Sequence, residues 1–164
     1  MARQPGPVPT IISVFRQAAA LMIDDLIARL EAAGFTGGTP ARYTVFENLD
    51  PGGTRLTDLA ARAGITHQSM SELVSALEQA GYLERCPDPS DRRARIVRLT
   101  PAGRRVVRQA VKEIAAIEDQ WRTRLAREGL TGNIVAALTN ALSQKPEATA
   151  ETASTARPDP PISA

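Results

Sequence analysis

Residues 83–105 read "LERCPDPSDRRARIVRLTPAGRR". Two short runs, Leu83 to Cys86 and Arg95 to Leu99, flank the turn-rich "PDPSDR", which is the pattern of a β-hairpin with a long tip. Seven arginines (85, 92, 93, 95, 98, 104 and 105) share this stretch with only Glu84, Asp88 and Asp91, although the whole chain carries a net charge of just +2. A partner feels such a local cluster rather than the chain average. Thr100-Pro101 then predicts the start of a helix, because proline suits the first helical position.

The segment just upstream, "LTDLAARAGITHQSMSELVSALEQAGYLER" from Leu56 to Arg85, holds the hairpin's partner. Thr57 is expected to cap a short helix bearing Leu59, Ala60 and Ala63. Gly64 supplies a left-handed turn, and Thr66 caps a second helix whose apolar residues Met70, Leu73, Val74 and Leu77 share one face. Gly81 closes that helix. Two short helices joined tightly at a glycine form a helix-turn-helix, and the hairpin that follows makes it winged.

Farther out, Ile12, Phe15, Ala19, Met22, Leu26 and Leu30 recur at steps of three and four up to Gly34, with Ile11, Val14, Ala18 and Leu21 as a second apolar row. A shorter helix from Pro40 carries Tyr43, Val45, Phe46 and Leu49. Beyond the hairpin, Val107, Val111, Ile114, Trp121 and Leu125 continue at helical spacing for about six turns. A last helix, capped by Thr131, carries Ile134, Val135, Leu138, Ala141 and Leu142.

The expected fold class is mainly α with a small β-hairpin wing. Residues 1–9 read as a flexible arm and residues 10–144 as one domain, with long helices over about 10–34, 101–127 and 131–144 around a winged helix-turn-helix over about 40–100. Residues 145–164 lose nearly every large apolar side chain and read as a disordered tail. The long helices present more apolar surface than one small lobe covers, so a homodimer is expected.

Composition narrows the function. With one cysteine, Cys86, and one histidine, His67, neither an internal disulfide nor a Cys/His zinc site can form within the chain, and no metal or cofactor is expected. The apolar cluster at Ile11 to Phe15 is interrupted by Arg16, Asp24 and Asp25, so no membrane anchor is read and a reducing cytoplasm is the expected setting. No phosphate-binding glycine loop, nucleophile elbow or metal cluster is present, which argues against an enzyme.

The helix after Thr66 leaves His67, Gln68, Ser69, Ser71, Glu72 and Ser75 off its apolar face. Thr66, His67, Gln68, Ser69 and Ser71 lie near its start, the part of a recognition helix that reaches base edges in a major groove of double-stranded DNA. In the wing, Asp91 sits two residues before Arg93, close enough for its carboxylate to aim the guanidinium into a narrow minor groove. Arg85, Arg92 and Arg95 are the expected backbone contacts. A non-enzymatic winged helix that binds another protein is the competing reading, because no Lys or Arg lies between Thr66 and Ala80.

These residues resemble the MarR-type winged helix-turn-helix transcriptional regulators over roughly Ile11 to Leu142. The most specific part is the wing: an arginine ending the first strand, a DP turn, D-R-R, alternating strand residues, then L-T-x-x-G. The resemblance implies a DNA-binding homodimer in which Arg93 enters the minor groove, Asp91 orients it, and the flanking long helices dimerise. It also implies a small aromatic or phenolic effector bound between the dimerisation helices and the DNA-binding lobe, for which Phe15, Phe35, Tyr43, Phe46 and Trp121 are the candidate lining. Thiol sensors of this family carry a reactive cysteine in the first helix; this chain has none there, and Cys86 reads as a small apolar strand residue.

Overall fold

A computed structural model describes residues 8–91 and 94–143. The chain divides into two compact units, Met1–Thr123 and Arg124–Ala164. The first unit opens with α1 (Ile11–Ala32), held at its start by reciprocal hydrogen bonds between Thr10 and Ser13. Next come α2 (Pro40–Glu47), β1 (Thr54–Arg55), α3 (Leu56–Ala63), α4 (His67–Gln79), β2 (Leu83–Pro87), β3 (Arg95–Leu99) and the long α5 (Pro101–Arg127).

The helix-turn-helix follows from local chemistry. Thr39 accepts from the Arg42 N–H with Pro40 at the first helical turn of α2, and Thr66 accepts from the Ser69 N–H at 3.1 Å to start α4. Between α3 and α4, Gly64 adopts φ +65°, the left-handed conformation that ends one helix and turns the chain into the next.

The wing differs from the expected hairpin by one strand. Residues Thr54 and Arg55 pair antiparallel with Val97 and Ile96, so β3 is the centre of a three-stranded sheet of order β1-β3-β2. A two-residue strand has no alternation to read, and its pairing depends on a partner more than forty residues away. This strand also displaces the expected cap: α3 starts at Leu56 directly after β1, with Arg55 at its N-cap position and no side-chain capping bond, so Thr57 lies inside the helix.

One apolar core lies beneath the two short helices and the sheet. Val45, Leu59, Ala60, Met70, Val74, Leu77, Leu83 and Val97 are all buried in it, drawing on α2, α3, α4, β2 and β3. A separate contact joins α1 to α5, where Leu26, Val106 and Ile117 are buried and Arg29 reaches Asp25, Glu113 and Gln120.

In the second unit, the end of α5 is followed by α6 (Ile134–Ser143). The cap of α6 is Asn133, whose Oδ1 accepts from the Ala136 N–H at 3.0 Å, rather than the expected Thr131. Among the described residues no helix is long and apolar enough to cross a membrane.

The junction of β3 with α5 explains the "LTPAG" run. Thr100 Oγ1 accepts from the Gly103 N–H at 3.0 Å and donates to the Gly81 and Tyr82 carbonyls, while the Thr100 N–H donates to the Tyr82 carbonyl. The first turn of α5 is thereby tied to the chain leaving α4. A Cβ on Gly103 would lie 2.1 Å from the Tyr82 carbonyl oxygen, so no larger residue fits without moving the backbone. Gly103→Ala is therefore expected to destabilise the fold by about 1 to 3 kcal/mol, read as a lowered urea midpoint at an unchanged m-value.

Candidate nucleic-acid interface

Burial of the apolar face of α4 leaves Thr66, His67, Gln68, Ser69 and Glu72 exposed around its start. The Thr66 and Ser69 hydroxyls lie 2.9 Å apart, and Gln68 Nε2 donates to Glu72 Oε1 at 3.3 Å. This face carries hydrogen-bonding groups and no Lys or Arg. Ser71 sits at its edge, half-buried and turned toward β2 rather than outward with the others.

The wing arginines have different surroundings. Arg85, on β2, pairs with Glu78 of α4 at 2.7 Å and donates to Ser71 and Ser75. Arg98 pairs with Glu84 directly across the sheet at 2.8 Å, and that hydrogen bond raises the arginine's pKa from its ordinary value. Arg95, at the outer end of β3, is exposed and makes no ion pair among the described residues. Arg92 and Arg93, and with them the expected contact between Asp91 and Arg93, lie outside the described residues.

The tip itself is organised by Asp88, which the sequence presents as an ordinary turn residue. Its side chain is only 9% exposed. Oδ1 accepts from the Ser90 N–H at 2.8 Å and the Ser90 hydroxyl at 2.6 Å, and Oδ2 accepts from Arg55 of β1 at 2.7 and 2.8 Å. The Asp88 N–H donates to the Ala94 carbonyl, and the Asp91 N–H to the Asp88 carbonyl. Ser90 first, and then Arg55, pull the Asp88 pKa down from 3.8 to about 2.

A group so depressed stabilises the fold fully above its ordinary pKa and loses that contribution as pH falls through the folded value. Asp88→Asn is expected to be less stable than the parent at pH 7. The two denaturation midpoints should converge as pH falls from about 4 to about 2.

A cavity of about 170 Å³ lies between α1, α2 and α5. Its wall is mostly apolar, from residues such as Leu26, Leu30, Phe35, Tyr43, Phe46 and Ile114. Arg42 and Glu47 are the charged groups that reach it, and Arg42 is held at the rim by donating to the Gly37 carbonyl. Burial, and then the nearby Glu47, raise the Tyr43 pKa. Of the expected lining, Phe35, Tyr43 and Phe46 are in the wall, whereas Phe15 is exposed on the first turns of α1 and Trp121 lies elsewhere on α5. Helical spacing cannot separate these cases, because α1 and α5 extend well past the cavity. Cys86 is half-buried with Sγ 3.8 Å from the Ile96 carbonyl oxygen.

Residues 36–94 match the family model described as "MarR family". Among solved structures, the chain is 28% identical to the transcriptional repressor CouR bound to a 23-mer DNA duplex, with a TM-score of 0.62 over 82% of this chain and 90% of that one. It is 23% identical to CouR from Rhodococcus jostii RHA1 bound to p-coumaroyl-CoA, with a TM-score of 0.64 over 80% and 88%. The MepR–DNA complex of S. aureus is 22% identical, with a TM-score of 0.61 over 83% and 98%. No curated protein matches the chain.

Proposed function

The chain belongs to the MarR family of winged-helix proteins, and from that premise we propose that it is a non-enzymatic transcriptional regulator that binds a pseudo-palindromic DNA site as a homodimer. The observation that carries this reading is the exposed polar start of α4 standing beside an arginine-bearing wing, both built on one apolar core. The short side chains of Thr66, His67, Gln68 and Ser69 suit the major groove. The wing supplies the cations that α4 lacks, with Arg95 and Arg92 meeting phosphates and Arg93 entering the minor groove under the direction of Asp91.

Dimerisation rests on the apolar residues that the fold leaves uncovered. Ile11 and Ile12 are 71% and 77% exposed, Phe15 and Leu21 are about half exposed, and Val135, Leu138 and Leu142 of α6 are exposed as well. Exposed large apolar side chains on the start of α1, and separately on α6, are surface that a partner would cover. A two-fold dimer then presents two recognition helices to two half-sites. The cavity beside Tyr43 and Phe46 supports a small aromatic effector, since its wall offers rings and aliphatic groups with few polar partners.

The test is selection of duplexes from a random pool by the purified protein, followed by affinity measurements across a salt series. Binding that weakens steeply with salt and discriminates the selected site from a scrambled one is expected. Gln68→Ala should lose about 1 to 3 kcal/mol on the selected site and little on the scrambled duplex. Salt-insensitive binding, or none, would favour the protein-interaction reading, to which the absence of Lys and Arg on α4 points. Sedimentation at micromolar concentration is expected to give a dimer.

A further inference from the structure

Arg85 projects from wing strand β2 onto the recognition helix and spans two of its turns. Its Nη1 meets Glu78 Oε2 at 2.7 Å, and its Nη2 donates to the Ser71 carbonyl at 3.2 Å, to Ser71 Oγ at 3.4 Å and to Ser75 Oγ at 3.2 Å. The side chains of Arg85 and Glu78 are 28% and 25% exposed, so the pair is partly withdrawn from water and salt. A planar guanidinium with several fixed donors can hold this set of acceptors at once; an ammonium cannot.

The chemistry of the guanidinium also sets the polarity of the serines. Arginine has donors and no acceptor, so the Ser71 and Ser75 hydroxyls accept from it, and their own protons remain to be given elsewhere. No group among the described residues takes the Ser71 hydroxyl proton. Ser71 is half-buried at the edge of α4 and turned toward β2, so the guanidinium reaches it from the wing side.

We propose that Arg85 is a positioning residue for DNA specificity, which locks the wing to α4 through Glu78, Ser71 and Ser75, rather than a contact to phosphate. This rests on the DNA-binding reading above. Specific binding requires the helix and the wing to enter their grooves in fixed register, whereas non-specific binding requires only positive charge near the backbone. Loosening the lock therefore lowers discrimination while leaving non-specific affinity and its salt dependence in place. Charge at residue 85 matters through geometry.

The experiment uses the full chain, one selected duplex and one scrambled duplex of equal length, with affinities measured at several salt concentrations for the parent, Arg85→Lys and Glu78→Gln. Arg85→Lys keeps the cation and loses the span; it is expected to bind the selected site about tenfold more weakly and the scrambled duplex within about twofold, at an unchanged salt slope. Glu78→Gln removes a negative charge, which on Coulomb grounds alone strengthens binding to both duplexes; the lock predicts weaker binding to the selected site instead. Thermal unfolding accompanies each variant, and if one fails to fold the other carries the test. Parent-like affinity of Arg85→Lys on both duplexes, or tighter binding of Glu78→Gln to the selected site, overturns the proposal and leaves the DNA reading intact. A parent protein that does not discriminate the duplexes at all overturns the DNA reading, and the proposal with it.

Discussion

Burial of one face of α4 is the constraint on which the remaining structure depends. Met70, Val74 and Leu77 enter a core completed by Leu83 and Val97 of the wing, Leu59 of α3 and Val45 of α2. Each such side chain contributes about 1.5 to 3 kcal/mol when fully buried, so rotating α4 by a quarter turn would forfeit much of the stability of a small lobe. The rotation being fixed, His67, Gln68, Ser69 and Glu72 have no alternative to facing outward. Only three residues, Ala80 to Tyr82, separate α4 from β2, so the wing takes its direction from the same core.

Charge is distributed on this frame in a way that composition does not show. The segment from Arg85 to Arg105 is rich in arginine, yet Arg85 is engaged by α4, Arg98 by Glu84, and Arg104 by the Leu99 carbonyl at 2.8 Å. Exposed pairs such as Arg98 with Glu84 add little stability, but they reduce the field a partner would feel. The buried carboxylate of Asp88 does the converse: it gathers Ser90 and Arg55, so the tip of the wing is anchored to β1 as well as to its own strands.

The long helices serve a different physical need. Leu26 of α1 and Val106 and Ile117 of α5 are buried, and Arg29 of α1 links the two helices through Glu113 and Gln120 while pairing with Asp25. The first turns of α1 keep their apolar residues uncovered, which is the state of a helix that still has surface to bury. Between these helices and α2 the packing is incomplete, and the cavity beside Phe35, Tyr43 and Phe46 is the result.

Features that depend on near neighbours were legible in the sequence. The periodicity of Met70, Leu73, Val74 and Leu77, the helix start at Pro40, the cap at Thr66, the glycine turn at Gly64 and the hairpin around "PDPSDR" are each decided within a few residues, whereas the caps expected at Thr57 and Thr131 gave way to Arg55 and Asn133. Features that depend on distant partners were not. The pairing of Thr54 and Arg55 with β3, the hold of Arg55 on Asp88 and the span of Arg85 across Ser71, Ser75 and Glu78 all join residues at least seven positions apart through the tertiary fold. Phe15 and Phe46 illustrate the same division, since both are aromatic residues at helical spacing, and only the packing of α1, α2 and α5 places one in a cavity wall and the other on the surface. Which helix turns a polar face outward and where its wing lies could be read from the residues alone, because amphipathic period and turn chemistry are local; which of the described arginines are engaged by partners came from the tertiary structure, because a guanidinium's partner is set by what the fold brings within about 3 Å of it.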